Sequence, residues 1–190
     1  KLRPLLPDAL AALLLVALPL LVFWQVWASN PADRVMFGGD ILMGAYPTRV
    51  FVHQLFARGA APLWNPYQLA GMPLAGDIQV AAYYLPNLLL DMLFRGRDLP
   101  YVAFELLVIA HYVLGGLFLY AFVRNLGLRP GPALVVAIAF EFNGFFVGHR
   151  GHYNMLAVVA WLPGVLWLLD CAWRARSWRH ALARATLAGL

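Results

Sequence analysis

Apolar residues fill long runs in this chain, and most polar residues gather between those runs. The first run, Ala9 to Trp27, would span about 28 Å as a helix, close to the thickness of a bilayer's hydrocarbon core. Further runs cover Tyr101 to Val123, Pro132 to Val147 and Met155 to Trp173, and another starts near Ala181. They predict bilayer-crossing helices at about 9–27, 101–123, 132–147 and 155–173. The fold class expected is all-α integral membrane, a polytopic helical bundle in which residues 1–190 form the N-terminal part of one domain. Lys1 and Arg3 also suit the basic start of a signal peptide. The run is long for a signal core and no clear small-residue cleavage site follows, so a retained helix is expected.

The connection over residues 28–100 has a different texture, rich in Gly and Pro. Two pieces of it are expected to be helical. Residues 48–58 place Val50, Phe51, Leu55 and Phe56 at helical intervals. Residues 77–94 open on Asp77 and are interrupted by Pro86, which suits a helix lying on the membrane surface; a crossing helix is the alternative. Composition agrees with the pattern: 63% of residues are hydrophobic and 12% charged, against about 25% charged in soluble domains. The single cysteine, Cys171, forms no internal disulfide and no metal motif.

Charge sets the expected orientation. Lys1, Arg3, Arg124, Arg129, Arg174, Arg176, Arg179 and Arg184 lie at the N-terminus and in the 124–131 and 174–184 turns, which are placed in the cytoplasm. The 28–100 loop balances Arg34, Arg49, Arg58, Arg95 and Arg97 with Asp33, Asp40, Asp77, Asp91 and Asp98. It is placed outside with the 148–154 turn, so that both can build one site. The net charge of +5 forms no basic face, which argues against nucleic acid as a partner.

Candidate chemistry falls in those outer segments. Asp40 follows Gly38 and Gly39; it can accept a proton from a hydroxyl, ligate a divalent cation, or cap a short helix near Leu42. Trp64, Asn65 and Tyr67 sit among Pro62 and Pro66; the two aromatics can stack on a sugar or anchor at headgroup level. Gln79 and Tyr83 are four apart and share a face if helical, while Asp77 caps that helix. Glu141 lies in the third crossing, where a carboxylate costs roughly 3 kcal/mol; it either lines an aqueous cavity or bonds a neighbouring helix. His149, Arg150 and His152 crowd one short turn, where the arginine can fork onto a phosphate and the histidines can bind a phosphate or a metal. A merely solvated turn would have similar composition.

The order Gly39-Asp40, Tyr46-Pro47, Gly59, Pro62-Leu63-Trp64-Asn65-Pro66-Tyr67, Gly71-x-Pro73, Gln79 and Tyr84-x-Pro86 resembles the N-terminal part of the YfhO-like bacterial membrane proteins. These belong to the GT-C superfamily of membrane glycosyltransferases. The similarity extends through His152 and Trp161-Leu162-Pro163. It implies a GT-C-like bundle with a long extracytoplasmic first loop carrying two surface helices, matched here by 48–58 and 77–94. It implies a bacterial cytoplasmic membrane, a polyprenyl-phosphate sugar donor, and an extracytoplasmic polymer, lipid or protein acceptor. By resemblance Asp40 is the acidic residue that serves as base or metal ligand. Many relatives pair their acids, whereas here Asp33 is seven residues back. Asp40 and Glu141 are the candidate ligands of a divalent cation, Mg or Mn.

The function expected is a membrane glycosyltransferase with Asp40 as catalytic residue. Trp64, Asn65, Tyr67, Gln79, Tyr83, His149, Arg150 and His152 are the substrate-binding candidates. A transporter or flippase of lipid-linked sugars would need a polar path through the bundle, and a non-catalytic scaffold would leave Asp40 far from the 148–154 turn.

Overall fold

The computed structural model describes residues 5–27, 39–175 and 177–189. Lys1, Arg3, Asp33, Arg34, Gly38 and Arg176 lie outside the described residues. The rest divides into a membrane unit (5–24, 108–150, 155–175 and 177–189) and a loop unit (25–27, 39–107 and 151–154).

In the membrane unit, α1 covers Leu5–Val22; a short 3-10 turn, Trp24–Trp27, follows it and leads into the loop unit. The single helix expected over 9–27 therefore starts and ends earlier. Pro19 lacks an N–H for the helical ladder, and α1 stops one turn later. The long helix α4, Tyr101–Asn125, gives residues 101–107 to the loop unit and the remainder to the membrane unit. Its 25 residues reach about 37 Å. The expected third crossing is broken. Helix α5, Pro130–Glu141, ends at Phe142, and α6, Gly144–Gly148, restarts immediately. Asn143 makes the break: its Oδ1 accepts from the Phe145 and Phe146 amides, capping α6, while its Nδ2 donates to the Phe140 carbonyl. Helix α7 is Tyr153–Trp173, with Pro163 inside, and α8 is Trp178–Gly189.

Among the described residues, three stretches are long and apolar enough to cross a membrane: Tyr101–Asn125, Pro130–Gly148 and Tyr153–Trp173. The shorter apolar helix Leu6–Val22 adds a fourth hydrophobic segment. Small residues let these helices close on one another. Ala11 and Leu15 of α1 pack with Tyr120 and Val123 of α4 and with Ala133 and Ala137 of α5. Asp8 fastens one end of this contact, accepting from the Tyr120 hydroxyl and the Arg124 Nε, each at 2.6 Å.

In the loop unit a π-helical turn, Ile41–Ala45, runs straight into α2, Tyr46–Ala57. Arg58 and then Gly59, in the left-handed region at φ +71°, end it. The expected helix at 48–58 is thus present and slightly longer. A two-residue antiparallel pair follows, β1 (Trp64–Asn65) with β2 (Met72–Pro73). The helix expected over 77–94 is only half formed. Residues 77–83 make turns, with Ala81 at φ +47°, and α3 covers Leu85–Leu93. Pro86 dictates this, since proline suits the first turn of a helix and disfavours helix before it. Val52 of α2 packs with Leu74 and Ala82; Val50 packs on Leu90 of α3 together with Leu99 and Ala103.

Candidate functional site

Asp40 stands at the start of the π-helical turn, directly after Gly39 at φ +62°. Its carboxylate makes no capping hydrogen bond to that turn. Instead Oδ2 lies 3.4 Å from Nε2 of His152, with the Asp40 side chain 80% exposed and His152 48% exposed. The contact is longer than a good hydrogen bond and open to water, so it adds little to stability. Both groups stay accessible to a bound molecule.

The groups flanking this pair are firmly held. Tyr46 donates its hydroxyl to the Leu99 carbonyl at 2.7 Å, and its ring meets Tyr101 edge-on at 4.9 Å. Burial, and then the negative charge of Asp98, push the Tyr46 hydroxyl above the ordinary tyrosine range, which keeps it a donor. On the other side Tyr153, next to His152, is buried and donates to Asn87 Oδ1 at 2.8 Å, while Asn87 donates to the Ala81 carbonyl. Phe104 touches both tyrosines, at ring-centre distances of 6.1 Å from Tyr46 and 5.1 Å from Tyr153. The sequence neighbours of Asp40 and His152 thus share one aromatic anchor.

The other candidates have varied settings. Asn65 is buried and its amide is consumed within the loop: Oδ1 accepts from the Tyr67 amide at 2.9 Å, and Nδ2 donates to Gln68 Oε1 at 3.1 Å. Gln68 in turn donates to Thr48 at the start of α2. Trp64 is exposed on one side and covers Gly71 with its ring, where a Cβ would sit only 2.6 Å away. Tyr67 is 82% exposed and meets Phe51 edge-on. Gln79 is exposed; its amide donates to Asp77 Oδ1 in a tight turn, so Asp77 shapes a turn and caps no helix. Tyr83 rests against Phe56. Because residues 77–83 are not helical, Gln79 and Tyr83 do not share a helix face.

In the membrane unit, His149 stacks on Phe145 at 4.3 Å and its Nδ1–H donates to the Phe145 carbonyl, while Arg150 is exposed. Glu141 ends α5, fully buried, with neither carboxyl oxygen hydrogen-bonded among the described residues. It occupies the space that a side chain on Gly116 of α4 would fill. No group of three or more His, Cys, Asp or Glu residues comes together among the described residues. The Asp40–His152 pair offers one carboxylate oxygen and one imidazole nitrogen, a mixed set that suits an imidazole-binding transition metal better than magnesium.

One cluster was not singled out from the sequence. Arg49 and His53, one turn apart on α2, both reach Asp91 of α3, and all three are buried. His53 Nδ1 lies 2.9 Å from Asp91 Oδ1, and its Nε2–H donates to the Arg97 carbonyl at 3.0 Å. The four-residue spacing of Arg49 and His53 is the signal that was available. Beside the cluster opens a pocket of about 330 Å³ lined by His53, Gln54, Arg58, Arg97 and Asp98 among others. It lies along the C-terminal half of α2, whereas Asp40 precedes the helix.

Fold and composition define a helical membrane protein with, among the described residues, three helical stretches long and apolar enough to span a bilayer. No protein-family model matches the chain, and neither do curated proteins or solved structures.

Proposed function

We propose that this chain belongs to a bacterial membrane glycosyltransferase that moves a sugar from a polyprenyl-phosphate donor to an extracytoplasmic acceptor. The observation that supports the reading most is the approach of Asp40 to His152 at 3.4 Å, from segments 112 positions apart, with both side chains open to solvent. An exposed pair that contributes little to folding is open to a substrate.

Asp40 takes the proton from the acceptor hydroxyl. The acceptor oxygen attacks the anomeric carbon, the bond from that carbon to the phosphate oxygen breaks, and polyprenyl phosphate leaves with the bonding electrons. His152 steadies the Asp40 carboxylate and offers positive charge to the phosphate when protonated. With His152 neutral, a divalent cation held by Asp40 and His152 would supply that positive charge in its place. Trp64 and Tyr67 present open ring faces suited to sugar stacking.

Reconstituted protein supplied with a panel of radiolabelled polyprenyl-phosphate sugars tests the reading. Label should pass into an acceptor fraction from cell envelopes, and Asp40→Asn should slow this by about 10²-fold or more. Unchanged turnover in Asp40→Asn removes Asp40 as the base, and no transfer from any donor removes the reading itself.

A further inference from the structure

The pocket at the C-terminal half of α2 joins two features that the proposed transfer does not use. One is a pair of exposed arginines, Arg58 and Arg97, on its wall. The other is the outward face of α3. Leu85, Leu89, Met92 and Leu93 are 61%, 56%, 72% and 74% exposed. Their spacing places them within an arc of about 100°. The opposite side of α3 carries the buried Asn87, Leu90 and Asp91. This helix is polar toward its own unit and apolar outward, the reverse of a helix facing water.

The two features adjoin in the chain. Helix α3 ends at Leu93, and the turn through Gly96, Arg97, Asp98 and Leu99 forms the pocket wall. That turn is held in shape: His53 donates to the Arg97 carbonyl, the Arg97 amide donates to the Phe94 carbonyl, and Gly96 takes a left-handed φ of +79°. Helix α4, long and apolar enough to cross a bilayer, begins only eight positions after Leu93, a short tether from α3 to a candidate crossing.

We propose that this pocket and the outer face of α3 form a binding site for an anionic phospholipid, with the phosphodiester between Arg58 and Arg97 and the acyl chains along Leu89, Met92 and Leu93. The charge balance fits a singly charged headgroup: two arginines face one carboxylate, Asp98, on the pocket lining. Guanidinium groups pair with phosphate oxygens through two parallel hydrogen bonds, and Gln54 adds an amide donor on the same wall. The site lies along the far half of α2 from Asp40, so it is distinct from the proposed transfer site.

Native mass spectrometry of the detergent-solubilised protein with added phosphatidylglycerol tests this, with phosphatidylcholine and inorganic phosphate as the other two arms. Wild type should hold phosphatidylglycerol in preference to phosphatidylcholine. Arg58→Gln with Arg97→Gln should weaken that binding by at least about tenfold. Both arginines are exposed, so the variant should fold, which its melting temperature checks. Leu89→Gln with Leu93→Gln should weaken phosphatidylglycerol binding while leaving any binding of inorganic phosphate unchanged. Equal retention of the two lipids, or undiminished phosphatidylglycerol binding by the arginine variant, overturns the site. Binding of inorganic phosphate without retention of lipid overturns the lipid as its occupant.

Discussion

The Arg49 guanidinium of α2 donates to the Asp91 carboxylate of α3, and both side chains are buried. Neither charge has bulk water to fall back on, and Nε and Nη1 of Arg49 have no other hydrogen-bond partner among the described residues. Asp91→Ala should therefore cost about 3–5 kcal/mol, because it strands a buried guanidinium. Arg49→Met combined with Asp91→Leu should recover most of that loss. Thermal unfolding of the three variants in detergent measures both effects. If Asp91→Ala melts with the wild type, the pair does not hold the loop unit together.

Asp40 and His152 should behave in the opposite way. Their contact is exposed, so Asp40→Asn and His152→Ala should each change stability by no more than about 1 kcal/mol. Melting curves that overlay the wild type, alongside lost transfer, would separate chemistry from folding.

Gly71 carries a third expectation. Its φ of +114° disfavours any side chain, and a Cβ would press on the Trp64 ring at 2.6 Å. Gly71→Ala should destabilise the β1–β2 turn by about 1–3 kcal/mol and expose Trp64. Red-shifted tryptophan emission and faster proteolytic nicking near residue 70 would report it; an unchanged digest would count against the packing described.

Glu141 and Gly116 offer a paired test inside the membrane unit. A methyl at position 116 collides with the Glu141 carboxyl, so Gly116→Ala should destabilise by about 1–3 kcal/mol. In a Glu141→Ala background the same change should cost much less, because the obstacle is gone. Strict additivity of the two substitutions would mean that these side chains do not meet.

The apolar runs were enough to locate α4 and α7 to within a few residues, since helices that bury or expose apolar groups on all sides need no partner to be recognised. Capping chemistry was harder to see. The run at 132–147 reads as one helix because every residue near the break except Glu141 and Asn143 is apolar or Gly. Only the cap that Asn143 gives to α6 splits it. In the loop, Asp77 looked like a helix cap, but Pro86 delays the helix and leaves Asp77 to a turn. The buried Arg49–His53–Asp91 cluster was hidden because loop charges in balanced numbers look solvated; burial follows from the tertiary packing of α2 on α3. Of the candidate site, residue types were legible, whereas the meeting of Asp40 with His152, from segments 112 positions apart, is a tertiary contact that no local pattern announces.

The orientation of α3 also bears on how the protein can be handled. A recombinant fragment cut at residues 39–100 in the hope of a water-soluble ectodomain would carry Leu85, Leu89, Met92 and Leu93 as a sticky ridge. Such a fragment should self-associate in plain buffer and disperse in mild surfactant, so crystallisation trials or antibody selections on this region belong in micelles or nanodiscs.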